Sequence, residues 1–156
     1  MDPAIVALIT AALTTFVAAG TALLVARRQH ELQLIREMDA ASIARLGAFL
    51  GATHAVSLAV SKLARASESD KADVEAEADE TADRMNTALA AVRVAEPNLV
   101  VSAARALDRY LIELLDDARS SQWEREAWRQ RRAATETLVD DVIVASRDSV
   151  EARKRK

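Results

Sequence analysis

Residues 4–26 read AIVALITAALTTFVAAGTALLVA, a run of 23 positions without a charged side chain. A helix of this length extends about 35 Å, which is enough to cross the ~30 Å hydrocarbon core of a membrane. A signal peptide would have basic residues ahead of a shorter apolar run, whereas only Asp2 and Pro3 precede this one. A buried helix of this length would lack apolar partners in so small a chain. The run therefore predicts a retained transmembrane anchor over residues 1–27.

The charges that flank this run predict its orientation. No Lys or Arg precedes it, whereas Arg27 and Arg28 follow it directly and Arg36 comes soon after. Because basic residues stay on the cytoplasmic side of a membrane, we expect the N-terminus outside and residues 28–156 inside. The predicted location is the inner (plasma) membrane, crossed once.

Small residues recur at every fourth position of the run, which is the spacing of one helix face. Such a row lets a second helix approach closely, as small-xxx-small motifs do. It marks a helix-association face and makes a homo-oligomer one candidate assembly. The row consists of Ala7, Ala11, Thr15 and Ala19.

The composition of the whole chain favours an all-α fold. Ala supplies 34 of the 156 residues, whereas Gly occurs three times, Pro twice and Cys never. Few helix breakers and few aromatic residues argue against a β-sandwich or barrel. The absence of Cys excludes a disulfide framework and a thiolate metal site. With a net charge of −3, the chain also lacks the basic excess that drives binding to nucleic acid.

Periodicity and helix-stop signals divide residues 28–156 into helices over about 28–66, 70–95, 97–118 and 122–153. A Ser/Asp cluster at 67–70, Pro97 and a capping-box pattern at 121–124 mark the breaks. No proline lies between residues 4 and 66, so the first helix continues from the anchor without interruption. Since short connections make neighbouring helices antiparallel, we expect an up-down-up-down bundle.

The apolar positions of each helix recur at spacings of three and four, which defines its core face. The second helix has the thinnest core face, and eight acidic residues between 68 and 83 give it a solvated or acidic docking surface. The predicted core positions are Ile35, Met38, Ser42, Leu46, Phe49, Thr53, Val56, Val60 and Leu63 on the first helix; Val74, Ala78, Thr81, Met85, Leu89 and Val92 on the second; Leu99, Val100, Ala103, Ala104, Leu107, Leu111 and Leu114 on the third; and Leu138, Val139, Val142 and Ala145 on the fourth.

One stretch of the first helix permits a second interpretation. Residues 46–60, LGAFLGATHAVSLAV, contain no Asp, Glu, Lys or Arg and could form a second membrane span. The stretch is shorter than the ~17 residues that a span needs, and His54 lies within it. We therefore expect a bundle helix, with Gly47 and Gly51 allowing a neighbouring helix to pack closely and His54 satisfied inside the bundle.

No pattern of catalytic, cofactor-binding or metal-binding residues emerges, so we predict a protein that is not an enzyme and needs no cofactor. His30 lacks the second His that a zinc helix requires, and the acidic pairs at 116–117 and 140–141 point apart on a helix. An Arg-rich stretch between two tryptophans is a candidate partner surface. Five helical positions separate the two rings by about 140°, so they should not share one face. The surface comprises Trp123, Arg125, Trp128 and Arg129.

The carboxyl end carries four consecutive basic residues, Arg153, Lys154, Arg155 and Lys156. If the fourth helix runs back along the first, these charges end roughly 12 Å from the lipid headgroups. Anionic lipid attracts each such charge by about 1 kcal/mol near the surface. A lipid-contact tail is one prediction, and a solvated tail that complements the helix dipole is the other.

The layout resembles a broad group of uncharacterised single-span proteins of GC-rich actinobacteria and their phages. The uncharged run, RRQHE at 27–31, RLGAFLGATHAVSLAV at 45–60 and VDDVIVASRDSVEARKRK at 139–156 carry this resemblance. It implies a membrane-anchored helical bundle and gives no information about an activity. We expect a scaffold or interaction protein on the cytoplasmic face that recruits an unknown protein partner. The alternatives are a phage-type lysis protein that oligomerises through its span and a small regulatory subunit of a membrane complex.

Overall fold

The fold was analysed in a computed structural model, which describes the backbone of residues 3–121 and 123–155 and the side chains of 25–121, 123–153 and 155. That part of the chain forms helices packed against one another and no strand, so the all-α prediction is confirmed. The helices are α1 (Pro3–Leu63), α2 (Lys71–Ala95), α3 (Asn98–Ser120) and α4 (Arg125–Lys154).

Helix α1 continues for 61 residues without interruption, as the absence of internal proline predicts. It ends at Leu63, where the amides of Arg65 and Ala66 donate to carbonyls only three positions back and so tighten the turn. Asp70 takes the N-cap position of α2 but forms no side-chain cap bond. Its carboxylate accepts a hydrogen bond from Ser67 Oγ at 2.6 Å instead.

The start of α4 differs from the prediction. The capping box at 121–124 is wrong, because the N-cap is Glu124 and makes no side-chain cap bond. Ser121 serves the preceding helix, since its Oγ donates to the Asp117 carbonyl at 2.9 Å. The Ser121 amide also donates to the Asp117 carbonyl at 3.0 Å, so Ser121 acts as the C-cap of α3 rather than as the N-cap of α4.

The chain divides into two compact units, Met1–Ala41 and Ser42–Lys156. In the first unit, the side chains from 25 to 41 are exposed except that of Asp39, which is half-buried. The prediction that Ile35 and Met38 are core positions is therefore wrong, since their exposed fractions are 38% and 57%. A regular periodicity continues along a helix whether or not other helices pack against that part of it. The second unit begins 14 residues after the boundary that the sequence suggests at 28.

The second unit contains a single hydrophobic core to which all four helices contribute. The core positions from Ser42 to Leu63 on α1 are all buried, as predicted, and so is most of the α2 and α3 pattern. On α3, Leu99 is 60% exposed and Val101 is buried in its place, while Ala103 packs only partly against the core, as Val74 does on α2. Helix α4 contributes Val142 and Ala145 fully, whereas its other two predicted positions, Leu138 and Val139, pack only partly against the core.

Residues 46–60 form part of this core. Phe49, Val56 and Val60 have no exposed surface and pack with residues of α2, α3 and α4. Such packing is typical of a core helix rather than of a second membrane span. The two glycines do not act as predicted, because both are exposed and a Cβ added at Gly47 or Gly51 would meet nothing within 4 Å. The predicted close approach of a neighbouring helix at these glycines is therefore wrong.

Candidate functional site

The predicted membrane anchor lies mostly outside the described side chains. Its backbone is helical from Pro3 onward, but the helix-association face of Ala7, Ala11, Thr15 and Ala19 falls wholly among residues whose side chains are not described. Within the described part, Val25–Leu63 of α1 is the one helical segment long and apolar enough to cross a membrane. It lies near the N-terminus but begins only at the end of the predicted anchor. A buried core helix passes the same test of length and composition, and one third of the most apolar window is buried.

The basic residues assigned to membrane orientation lie on the surface of α1. Arg27 and Arg28 are exposed, and Arg27 Nε lies 3.8 Å from a Glu31 carboxylate oxygen one turn further along. An exposed pair at this spacing stabilises a helix by only a few tenths of a kcal/mol. Both guanidinium groups therefore remain accessible to water or to lipid headgroups.

The basic tail is helical up to Lys154. Arg153 is half-buried, and its Nε donates to the Ser149 carbonyl at 3.4 Å. Arg155 is exposed and lies 3.4 Å from Glu151. The side chains of Lys154 and Lys156 lie outside the described residues, so the lipid-contact tail stays a prediction.

The two tryptophans stack on each other, which contradicts the prediction that they occupy different faces. The ring centroids of Trp123 and Trp128 are 6.0 Å apart and their planes differ by 15°. The prediction assumed that both residues are helical, whereas α4 begins only at Arg125. Trp123 precedes the helix, and its amide donates to the Ala64 carbonyl at 3.3 Å. This bond holds the extended segment against the end of α1.

Arg131 joins the tryptophan pair to α3. Its guanidinium carbon lies 4.4 Å from the centre of a Trp123 ring, within the range of a cation–π contact. Its Nη2 also pairs with Asp117 at 2.8 Å. The backbone carbonyl of Arg131 accepts a hydrogen bond from Tyr110 Oη at 3.2 Å. Sequence reasoning missed this role of Arg131, since contacts across a turn and between helices leave no periodic signal.

The predicted partner surface is consequently split. Trp123 and Trp128 are half-buried and pack against the core, whereas Arg125 and Arg129 are exposed. Arg129 lies 3.2 Å from Glu126 on the same helix. Of the four predicted residues, the structure brings Trp123, Arg125 and Trp128 together around one small cavity and leaves Arg129 out.

A groove of about 520 Å³ lies between α1 and α4. Most of its wall area is apolar and comes from Leu50 and Leu58 on α1 and Trp128 and Val139 on α4, although nine of the thirteen lining residues are polar or charged. His54 lines it as an exposed residue, so the prediction of a buried His54 is wrong. Grooves of several hundred Å³ whose wall area is mostly apolar are typical of ligand sites.

Acidic residues of α2 form ion pairs with neighbouring helices. Arg119 of α3 contacts Glu75 at 3.2 Å, Asp79, and Asp116 of its own helix at 2.7 Å. Lys62 of α1 lies 2.7 Å from Glu77. These pairs neutralise part of the acidic surface. Within the described residues, no group of three side chains that could ligate a metal ion is found.

Two ionisable groups of α3 have shifted pKa values. Burial raises the pKa of Asp108 above its ordinary value, and Arg93 across on α2 offsets part of the shift. Burial likewise raises the pKa of Tyr110, opposed by the nearby Arg131 and assisted by Glu113. One buried oxygen of Asp108 has no hydrogen-bond partner among the described residues, in keeping with a carboxyl that is costly to ionise there.

Comparison of the chain with protein-family models, with curated protein sequences and with solved structures gave no match. The function is therefore argued from the residues and their geometry alone.

Proposed function

We propose that the protein is a membrane-anchored helical interaction module. One transmembrane helix at the N-terminus holds a bundle of α-helices on the cytoplasmic face, where the bundle recruits a protein partner. The anchor is supported by the uncharged run at 4–26, the orientation by the exposed Arg27 and Arg28 after it, and the bundle by the common core of the four helices.

We further propose that the bundle has an antiparallel up-down-up-down arrangement. Support comes from ion pairs whose order reverses along neighbouring helices. Arg45 near the start of the packed part of α1 contacts Glu96 after the end of α2, whereas Lys62 near the end of α1 contacts Glu77 early in α2. A parallel pair of helices would join early residues to early residues.

The other helix pairs support the same arrangement. Arg119 at the end of α3 contacts Glu75 early in α2. On α3 and α4, Leu99 lines one groove with Ala152, while Tyr110 contacts the Arg131 carbonyl. The contact between α2 and α3 joins an early residue to a late one, and the contacted position on α4 falls from Ala152 to Arg131 as α3 advances from Leu99 to Tyr110.

The observation that carries the recruiting role is the outer face of α1 in the second unit. Between residues 46 and 61, every exposed side chain is uncharged, although 29% of the chain is charged. Four turns of helix without a charge are unusual on a surface that only water contacts, and such patches mark interaction sites. The exposed residues are Gly47, Ala48, Gly51, His54 and Leu58.

Two variants, each of which replaces an exposed alanine by glutamate, test this face. Ala48→Glu places a charge on it, whereas Ala90→Glu places the same charge on an exposed turn of α2. We expect chemical cross-linking of the full chain in its membrane to lose its partner adducts several-fold with Ala48→Glu and to keep them with Ala90→Glu. Identical adducts in both variants would show that the face does not recruit.

The anchoring part of the proposal has its own test. A reporter enzyme that functions only in the cytoplasm should be active when it is joined after Lys156. A reporter that functions only on the other side of the membrane should be inactive there. Activity of a reporter that requires the opposite compartment would refute the orientation and with it the cytoplasmic partner.

A further inference from the structure

The groove between α1 and α4 continues into a second cavity. This cavity of about 140 Å³ shares three lining residues with the groove, namely Ser61, Arg65 and Trp128. It adds Arg125 and the ring of Trp123. The two spaces are therefore neighbours along α1, and the second lies at the stacked tryptophans; together they are called the channel.

The charges along this channel are unequally distributed. The small cavity is lined by two guanidinium groups, Arg65 and Arg125, and by no carboxylate. The opposite part of the groove is lined by Asp140 and Val139. Arg132 also lines the groove, but it pairs with Glu136 at 2.9 Å and adds no net charge. The channel is thus positive at one end and negative at the other, and between them its wall area is mostly apolar with one neutralised ion pair.

The Arg65 side chain is exposed, and its guanidinium is fixed by two hydrogen bonds to its own helix. Its Nε donates to the Ser61 carbonyl at 2.8 Å, and its Nη2 donates to Ser61 Oγ. A guanidinium has five N–H donors, so these two bonds leave three for another acceptor. Carboxylates and phosphates are the partners that this planar group binds best, because either can accept two parallel hydrogen bonds.

We propose that this channel binds a single-chain amphiphile with a carboxylate head, such as a long-chain fatty acid. The head lies at Arg65 and Arg125, against the indole of Trp128, and the acyl chain extends between Leu50, Leu58 and Val139. Asp140 excludes the reversed orientation, because a second carboxylate beside it would be repelled. The inference does not depend on the proposed recruiting role.

The experiment uses a palmitate probe with a photoreactive diazirine in its acyl chain. The full chain is placed in phosphatidylcholine vesicles, illuminated with the probe and digested, and the labelled peptides are identified by mass spectrometry. We expect saturable labelling of residues 50–65 and 128–139 that unlabelled palmitate competes away. Labelling spread evenly along α1, or insensitive to unlabelled palmitate, would overturn the proposal.

Two further probes of the same length test the head group. The corresponding alcohol lacks the charge, and a single-chain phosphate-headed lipid carries a different anion. The carboxylate should label the channel about tenfold more than the alcohol, since hydrogen bonds to charged groups typically contribute a factor of this order. Equal labelling by the alcohol, or preferential labelling by the phosphate-headed lipid, would contradict a carboxylate site.

The double variant Arg65→Gln with Arg125→Gln should lower labelling about tenfold. The matched control is Arg109→Gln, which removes an exposed arginine that lines a different groove, between α2 and α3. Far-UV circular dichroism checks that the variants keep their helices. If the double variant fails to fold, the competition of palmitate against its alcohol on the unaltered chain decides the question alone.

Discussion

The guanidinium of Arg45 donates two hydrogen bonds to one carboxylate oxygen of Glu96, from Nε at 3.0 Å and from Nη2 at 2.8 Å. The second oxygen of Glu96 accepts from Ser42 Oγ at 2.8 Å. The Glu96 side chain is 1% exposed, so these donors replace the water that its charge has lost. This contact joins α1 to the turn between α2 and α3, at the point where the second compact unit begins.

Removing one partner of this buried pair should be costly. We expect Arg45→Met to lower the free energy of unfolding by about 3 kcal/mol, because Glu96 would remain buried without a counter-charge. Chemical denaturation followed by circular dichroism measures the change. The matched control is Lys62→Met, whose pair with Glu77 is about half exposed and should contribute under about 1 kcal/mol. Similar effects of both variants would contradict the buried role of Glu96.

A substitution at Phe49 distinguishes a core helix at residues 46–60 from a second membrane span. The Phe49 side chain has no exposed surface, so Phe49→Ala should cost about 3–5 kcal/mol of stability through lost burial and the cavity left behind. Ile43→Ala on the same helix is the control, since Ile43 is 68% exposed and should change stability little. If Phe49 instead faced lipid, the two variants would unfold at similar denaturant concentrations.

The exposed glycines of α1 permit a stabilising substitution. Nothing lies within 4 Å of a Cβ added at Gly51, and the residue is in the middle of a helix. Gly51→Ala should therefore stabilise the protein by about 0.5–1 kcal/mol, because Ala loses less conformational freedom than Gly on folding. A rise in the midpoint of thermal unfolding is the expected result. A fall would indicate that another chain already packs against this face.

Asp108 predicts a specific pH dependence of stability. Its pKa is raised in the folded protein, so the folded state binds its proton more tightly than the unfolded chain. The stability associated with this group is therefore present below its unfolded pKa of about 3.9 and is lost as the pH rises through the folded pKa. Asp108→Asn should be more stable than the unaltered chain at pH 7, and the difference should disappear at low pH. An unchanged difference across that range would argue against burial as the cause.

The basic tail predicts salt-dependent lipid binding. Residues 33–156 should be soluble and helical once the anchor is removed, and they should sediment with anionic vesicles at low salt but not at high salt. Replacing Arg153, Lys154, Arg155 and Lys156 by Gln should abolish this binding. Unchanged binding by the substituted tail would leave only the solvated-tail interpretation. Aggregation of the fragment without detergent would instead favour a second span at residues 46–60.

Local patterns in the sequence were sufficient to predict where the helices begin and end. Proline and Ser/Asp clusters interrupt a chain rich in helix-forming residues, so the four helices begin and end within a few residues of the predicted positions. Within the second unit, the apolar spacing also identified most buried positions, from Leu46 to Val60 on α1 and from Ala78 to Val92 on α2. Both properties depend on residues three or four apart on the same helix.

The tertiary structure alone decided the contacts between helices. The partners Ser42 and Glu96 are 54 positions apart in the sequence. Their hydrogen bond depends on how α1 is rotated about its axis and on where the turn after α2 lies beside it. Trp123 stacks on Trp128 because it lies before the helix, where the angular rule for helical residues does not hold. Arg65 and Arg125 likewise line one cavity only because the end of α1 lies beside the start of α4. Periodicity shows which face of a helix is apolar, but it does not show which residue of another helix packs against it, because that pairing is determined by the packing of the whole core.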